Sequence, residues 1–117
     1  KKEAENEFPG LLMESFSAHE INLSAESNVA FLDADALALP LKQRRFAPGD
    51  RFVPLGMKGS KLVSDFLTDC KCSLLEKQQQ TVLIDAKGRI VWLVGKRIDN
   101  RFKLTKQTKN IIKITLQ

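Results

Sequence analysis

Residues 47–59 restrict the fold more than any other part of the chain, because they contain two prolines and three glycines. Proline fixes φ and lacks an amide hydrogen, and glycine admits positive φ, so neither a continuous helix nor a continuous strand can run through them. The segment therefore predicts a turn-rich loop. This loop separates an extended stretch at residues 40–46 from a helical pattern that begins at residue 61.

One main helix is predicted directly after the loop, at residues 61–70. Its apolar side chains recur with the spacing that places them on one helical face. They are Leu62, Val63, Phe66, Leu67 and Cys70. Ser60 precedes them, and serine is a favourable N-cap residue, so we expect it to cap the helix. A second, short helix is predicted at residues 74–78.

Strands make up most of the remaining pattern. Short apolar runs predict strands at residues 11–16, 21–23, 28–32, 81–85, 89–94 and 111–116. Ala86-Lys87-Gly88 is typical of a hairpin turn, because Gly88 accepts positive φ. The strand after this turn is apolar on both faces, which indicates a central position. The sequence therefore predicts a small single α+β domain, mostly antiparallel strands in a barrel- or sandwich-like sheet with one main helix packed on it.

The charge of the chain is unevenly distributed. Residues 1–39 carry two Lys or Arg and eight Asp or Glu, whereas residues 40–117 carry 17 and six. The second part therefore has a formal charge of +11, which suits a polyanionic partner, although lysines that serve only solubility explain it equally well. No apolar run is long enough to cross a bilayer and no signal peptide is visible, so we predict a cytoplasmic protein without a membrane partner.

Cys70 and Cys72 are the only cysteines, and a disulfide between residues so close would be strained. Free thiols in a reducing compartment fit better. His19 is the one histidine and lies far from both, so we predict no metal site. We expect Cys70 to be buried at the helix end, although a thiol beside Lys71 could also be reactive.

The loop and its flanks carry a specific motif. Residues 45–61 read RFAPGDRFVPLGMKGSK, which resembles the R-x-x-P-G-D-R-F-x-P-L-G-M-x-G motif in the C-terminal domain of tRNA(Ile)-lysidine synthases. The similarity continues at residues 64–71, at 90–95 and at 97–105, and it covers the chain from about residue 28 to its end. We therefore expect residues 28–117 to form this domain. Residues 1–27 are expected to be a lead-in of strands or linker from a preceding domain of a longer protein.

The resemblance implies an enzymatic function for the whole protein, and it places the catalytic residues outside the motif. Enzymes of this family use ATP, with Mg²⁺, to attach lysine to the wobble cytidine of an isoleucine tRNA, and their chemistry resides in an N-terminal adenylating domain. Its S-G-G-x-D-S phosphate loop is absent from this sequence. The C-terminal domain is expected to bind tRNA(Ile) around the acceptor stem, with no catalytic residues and no cofactor of its own. A related fold occurs in the β subunit of phenylalanyl-tRNA synthetase.

We predict that basic residues in and around the motif segments form one RNA-binding face. They are Arg44, Arg45, Arg51, Lys58, Lys61, Arg97, Arg101 and Lys103. The helix start near Lys58 and Lys61 could hold a phosphate, or it could be an ordinary capped helix with solvated lysines. Asp50 could cap the turn and pair with Arg51, or it could lie at a phosphate contact.

Other side chains have structural explanations that we favour. Phe66, Phe102 and Trp92 lie in apolar runs and are expected in the core, whereas Phe52 is the most open candidate for stacking on a base. The acidic residues Asp65, Asp69 and Asp99 lack a nucleophile partner and are expected on the surface or in turns.

Three classes of function follow from these patterns. The first, which we favour, is a tRNA-binding domain of a modifying ligase. The second is a protein-interaction or dimerisation module of a synthetase-like enzyme, and a homodimer of the full-length enzyme stays open. The third is a small enzyme that uses Cys70 or Cys72. The remainder of the same polypeptide is an expected partner in the first two classes.

Overall fold

The computed structural model describes residues 2–3, 10–19 and 26–117. In chain order the strands are β1 Lys2–Glu3, β2 Leu11–Ser17, β3 Val29–Asp33, β4 Lys42–Arg45, β5 Arg51–Phe52, β6 Lys61–Leu62, β7 Thr81–Ile84, β8 Ile90–Leu93, β9 Arg97–Ile98 and β10 Asn110–Leu116. Two α-helices, α1 Val63–Asp69 and α2 Leu74–Gln79, lie between β6 and β7. Among these residues, no helix has the length and apolar character needed to cross a membrane.

Two four-stranded antiparallel sheets form the body of the domain. The first sheet has the order β1-β2-β10-β3, so the last strand of the chain lies between two early ones. The second has the order β4-β7-β8-β9. Its strand β8 is buried along its whole length, as its apolar sequence predicted. The edge strands β3 and β9 are adjacent, and this is where the two sheets meet.

Two hydrophobic cores share the second sheet, one on each of its faces. Trp92 and Phe102 belong to the core shared with the first sheet. Phe52 and Phe66 belong to the core under α1, where their rings pack edge to face with centroids 5.3 Å apart. Phe52 is only 1% exposed, so its candidacy for stacking on a base is wrong and this ring is structural.

The main helix is shorter than the apolar spacing predicted. Residues 61–62 form β6 and pair with β5, so the helix begins only at Val63. The predicted N-cap is also wrong, because Leu62 occupies that position without a side-chain hydrogen bond. Ser60 instead accepts a hydrogen bond from Arg51 Nε at 3.0 Å. The helical pattern did not separate residues 61–62 from the helix. Both are partly buried, so their side chains resemble those of a helix face.

Other local predictions are confirmed. The strands predicted at 11–16, 28–32, 81–85, 89–94 and 111–116 are all present, and Gly88 takes positive φ in the hairpin between β7 and β8. Helix α2 begins with a capping box between Ser73 and Glu76. The strand predicted at residues 21–23 lies outside the described residues.

The class of fold is the one expected: a small α+β domain of mostly antiparallel strands with one main helix packed on a sheet. The division of the chain at residue 28 stays a prediction. Both β2 and β1 hydrogen-bond into the first sheet, so residues before 28 contribute strands to the domain.

Candidate nucleic-acid interface

The turn at the start of the motif is held by an ion pair between Arg44 and Asp50. Two hydrogen bonds join the guanidinium to the carboxylate, at 2.8 and 3.1 Å, and Asp50 also accepts from the amide of Ala47 at 2.8 Å. The bond from Arg44, followed by that from Ala47, holds the pKa of Asp50 below its usual range. The carboxylate therefore caps the turn as proposed, but its partner is Arg44, and the expected pairing with Arg51 is wrong.

The two motif segments, far apart in sequence, meet at Asp99. This carboxylate is fully buried and accepts from the amide of Val53 at 2.8 Å and from the Arg101 guanidinium at 2.9 Å. The amide of Asn100 donates in turn to the Val53 carbonyl at 2.6 Å. The amide of Leu55 donates to the carbonyl of Ile98, which closes the contact. Asp99 is thus a structural organiser of a turn, as expected, although it is not on the surface.

Strand register places Arg44 and Arg97 on the same face of the second sheet. Arg44 opposes Val82, Val82 opposes Leu93, and Leu93 opposes Arg97. Directly paired residues share a face, so the two arginines stand at opposite ends of one row, with α1 packed between them. The guanidinium of Arg97 lies 5.1 Å from the centre of the Phe66 ring, which belongs to α1.

Arg45 projects from the opposite side, because successive residues of a strand point to opposite faces. The other candidates are distributed around α1 and the motif loop. Arg51 donates to Ser60, and Lys61 forms an ion pair with Asp69 near the end of α1. Lys58 is exposed at the loop tip.

The predicted basic residues therefore fall into two groups. Arg44, Lys61 and Arg101 are bound to carboxylates. In the part of the chain that the structure describes, the remaining members have no carboxylate within ion-pair distance. These members are Arg45, Arg51, Lys58, Arg97 and Lys103. A phosphate would meet the second group without displacing an internal anion.

A cavity of about 470 Å³ opens where β3 and β9 meet. Its apolar wall consists of Val29, Phe31, Leu55, Trp92, Ile98 and Leu104. Three cationic residues line it as well: Lys96, Arg97 and Lys103. Arg97 and Lys103 were predicted from sequence, whereas Lys96, Leu55 and Leu104 were missed. Lys96 could have been found, because it stands between two motif residues in the turn that Gly95 forms with positive φ.

The thiols do not form a catalytic constellation in the described residues. Cys70 is exposed at the end of α1, so the expectation that it would be buried is wrong, and Cys72 is half-buried against the core under α1. His19 is exposed, and within ranges 10–19 and 26–117 no three potential metal ligands come together. Asp65 is exposed on α1.

Solved structures share this architecture. A crystal structure of the TILS C-terminal domain superposes with a TM-score of 0.75, at 24% identity, over 92% of this chain and 84% of that one. An N-terminal fragment of the phenylalanyl-tRNA synthetase β subunit from Pyrococcus horikoshii superposes with a TM-score of 0.63, at 22% identity, over 74% of this chain and 27% of that one. At these identities the likeness concerns the fold, which is that of the TILS C-terminal domain.

Sequence relatives point to the same family, although no family model matches the chain. The tRNA(Ile)-lysidine synthase of Bacteroides thetaiotaomicron is 42% identical over 93 residues, which is 80% of this chain and 22% of that protein. The enzyme of the same name from Parabacteroides distasonis is 44% identical over 94 residues, 79% of this chain and 21% of that protein. The chain thus spans about a fifth of the length of these relatives. It belongs to the tRNA(Ile)-lysidine synthase family and corresponds to its C-terminal domain.

Proposed function

We propose that this chain is the tRNA-binding domain of a tRNA(Ile)-lysidine synthase and that it contacts tRNA(Ile) around the acceptor stem. The observation that carries the proposal is the docking of two basic motif segments on each other through Asp99, in a chain of this family. Because this contact fixes Arg97, Arg101 and Lys103 relative to the motif loop, several cations stand at set distances. Cations at set distances can match the spacing of phosphates along an RNA backbone.

Phosphate contacts would account for exposed cations that have no carboxylate partner among the described residues, such as Arg97. The guanidinium of Arg97 packs on a core ring, and the residue is exposed, so its charge is held in place at the surface. Arginine and lysine in such positions bind phosphate oxygens without reading base identity. Recognition of one tRNA over others would then come from the shape of the stem and from the rest of the polypeptide. That remainder is the expected partner of this domain besides tRNA.

ATP, with Mg²⁺, belongs in this proposal to the part of the enzyme outside this chain. The glycine-containing segment at residues 56–61 does not fit a nucleotide phosphate loop, because it leads into strand β6 and not directly into a helix. No step of the ligation is therefore assigned to these residues. The chain by itself is expected neither to hydrolyse ATP nor to form lysidine, and pyrophosphate released by it from ATP, lysine and tRNA would contradict this.

One observation favours a second role, as an interaction module. Helix α2 has no buried residue, and Leu74 and Leu75 on it are 72% and 61% exposed. Exposed neighbouring leucines are suited to contact with another protein surface, such as the remainder of the polypeptide or a second copy. The two roles are compatible, because α2 carries no member of the predicted basic set.

The direct test is filter binding of a tRNA(Ile) transcript to this chain and to the full-length enzyme. Binding that weakens steeply as salt rises supports the proposal, since released counterions dominate the affinity of phosphate contacts. A full-length enzyme whose affinity for tRNA is unchanged by removal of this domain would overturn it. Size-exclusion chromatography at low protein concentration tests the second role for contact with a second copy, which predicts a dimer that Leu74→Ser and Leu75→Ser disperse.

A further inference from the structure

The cavity between the two sheets has features that phosphate contacts along a duplex do not require. Its volume of about 470 Å³ lies within the range of small-molecule pockets, about 300–1,000 Å³. A rigid stem would rest on the rim and leave this space unfilled. The wall is mainly apolar, and three cationic residues are also among its lining.

We infer that this cavity accepts one unpaired nucleotide of the bound RNA, with the base against the apolar wall and its phosphate at the cationic rim. The inference rests on the proposed RNA-binding function and adds a site to it. An unpaired base combines a flat, largely apolar face with a neighbouring negative charge. The cavity offers both kinds of surface, because Leu55 and Leu104 line it together with the exposed Lys103.

The cavity is built from rigid parts, which favours binding without reorganisation. Trp92 and Ile98 are cross-strand partners in β8 and β9, and Phe31 belongs to β3. The amide of Leu55 donates a hydrogen bond to the carbonyl of Ile98 at 3.0 Å, which fixes the backbone of Leu55. These residues come from three separate segments of the chain that converge only in the folded domain.

The charges of the lining residues favour an anionic ligand. Lys103 is exposed and can meet a phosphate, whereas the guanidinium of Arg97 lies over the Phe66 ring on the α1 side of the sheet. Lys96 lies near Glu76, whose pKa is lowered mainly by hydrogen bonds from Ser73 and in smaller part by this lysine. Glu26 and Ser27 complete the lining, so the site carries three positive charges and one negative charge. An anion with an apolar body fits this balance better than a neutral ligand.

The experiment compares a blunt RNA hairpin with the same hairpin carrying a short single-stranded tail. Trp92 is the single tryptophan of the chain and lines the cavity from the core, so its fluorescence reports changes in the cavity wall. We expect the tail to raise affinity about fivefold or more, the low end for one stacked base, and to change the Trp92 emission. Lys103→Gln should abolish this gain, whereas Lys106→Gln, a matched exposed lysine outside the cavity, should retain it.

Two further titrations separate this site from the proposed function. Cytidine monophosphate should change the Trp92 emission where ribose 5-phosphate does not, since the base occupies the apolar wall. Equal affinities of the two hairpins, or equal effects of the two small phosphates, would overturn the cavity assignment while leaving RNA binding intact. If neither hairpin binds, the proposed function fails. The response to cytidine monophosphate alone then decides whether the cavity binds a nucleotide.

Discussion

The buried carboxylate of Asp99 binds the guanidinium of Arg101 through two hydrogen bonds, from Nε and from Nη2, each 2.9 Å long. The same carboxylate accepts the amides of Arg101 and Val53, both at 2.8 Å. The hydrogen bond to Asp99 raises the pKa of the Arg101 guanidinium, which stays charged. One acidic residue therefore joins the two basic motif segments that are distant in sequence.

Replacing Asp99 with Ala should destabilise the domain by about 3 kcal/mol, because two backbone donors and a guanidinium lose their acceptor at a buried position. Urea unfolding of the variant and the wild type measures this difference. Asp35→Ala is the matched control, since Asp35 is exposed, and it should cost less than about 0.5 kcal/mol. Equal unfolding midpoints for Asp99→Ala and the wild type would contradict the role of Asp99.

Acid should weaken the fold through Asp85. Its burial raises the pKa, but hydrogen bonds from the side chain and amide of Arg89 and from the amide of Ala38 outweigh this and lower the pKa below 3.8. A carboxyl whose folded pKa is depressed adds stability above its unfolded pKa, and this stability is lost as the pH falls through the folded pKa. The free energy of unfolding should therefore fall below about pH 4, and less so in Asp85→Asn.

Urea titrations at neutral and acidic pH provide the check. Arg89→Gln is the companion variant, because it removes the strongest hydrogen bond to Asp85 without changing the carboxyl. Both variants should lose part of the acid sensitivity of the wild type. An unchanged pH dependence in both would show that Asp85 is not responsible.

The fold was predicted well from the sequence where one hydrophobic pattern extended over a whole strand or helix. Strand β8 has apolar residues on both faces and is central, and Gly88 marks the turn before it. The boundary of α1 was missed because residues 61–62 satisfy the helical pattern while pairing with β5. Pairing between strands depends on partners elsewhere in the chain, and local periodicity does not contain that information.

The candidate site was predictable in composition but not in arrangement. The motif identified Arg97 and Lys103, which line one cavity. The partner of Asp50 was not predictable, because Arg44 reaches it only through the turn that Gly49 closes with positive φ. The cavity itself joins β3 to β9, and no local pattern indicates that these edges meet.

Alkylation of the thiols should leave tRNA binding unchanged, which distinguishes a binding domain from a cysteine enzyme. Cys70 is exposed and Cys72 half-buried, so a thiol reagent should modify Cys70 faster. Mass spectrometry over time measures the order of modification, and filter binding measures affinity before and after. Loss of tRNA binding on modification of Cys70 alone would count against this account. The variant Cys70→Ser would then show whether the loss comes from the size of the added group or from removal of the thiol.

Cations already bound to carboxylates should contribute less to RNA affinity than exposed ones. Arg44 is neutralised by Asp50, whereas Lys58 is exposed at the loop tip. Lys58→Ala should therefore reduce the slope of log affinity against log salt more than Arg44→Ala does. Arg44→Ala should instead lower stability, because Asp50 loses its strongest partner. The reverse order of slopes would show that the Arg44–Asp50 pair opens when RNA binds.

The central claim is that the cations around the two docked motif segments bind tRNA phosphates, and Arg97 tests it most directly. Filter binding of a tRNA(Ile) transcript across a salt series gives the slope for the wild type, for Arg97→Ala and for Lys87→Ala, a lysine in the β7–β8 turn. We predict that Arg97→Ala reduces the slope by about 1 and that Lys87→Ala leaves it unchanged. An unchanged slope in Arg97→Ala together with a reduced slope in Lys87→Ala would place the RNA on a different surface.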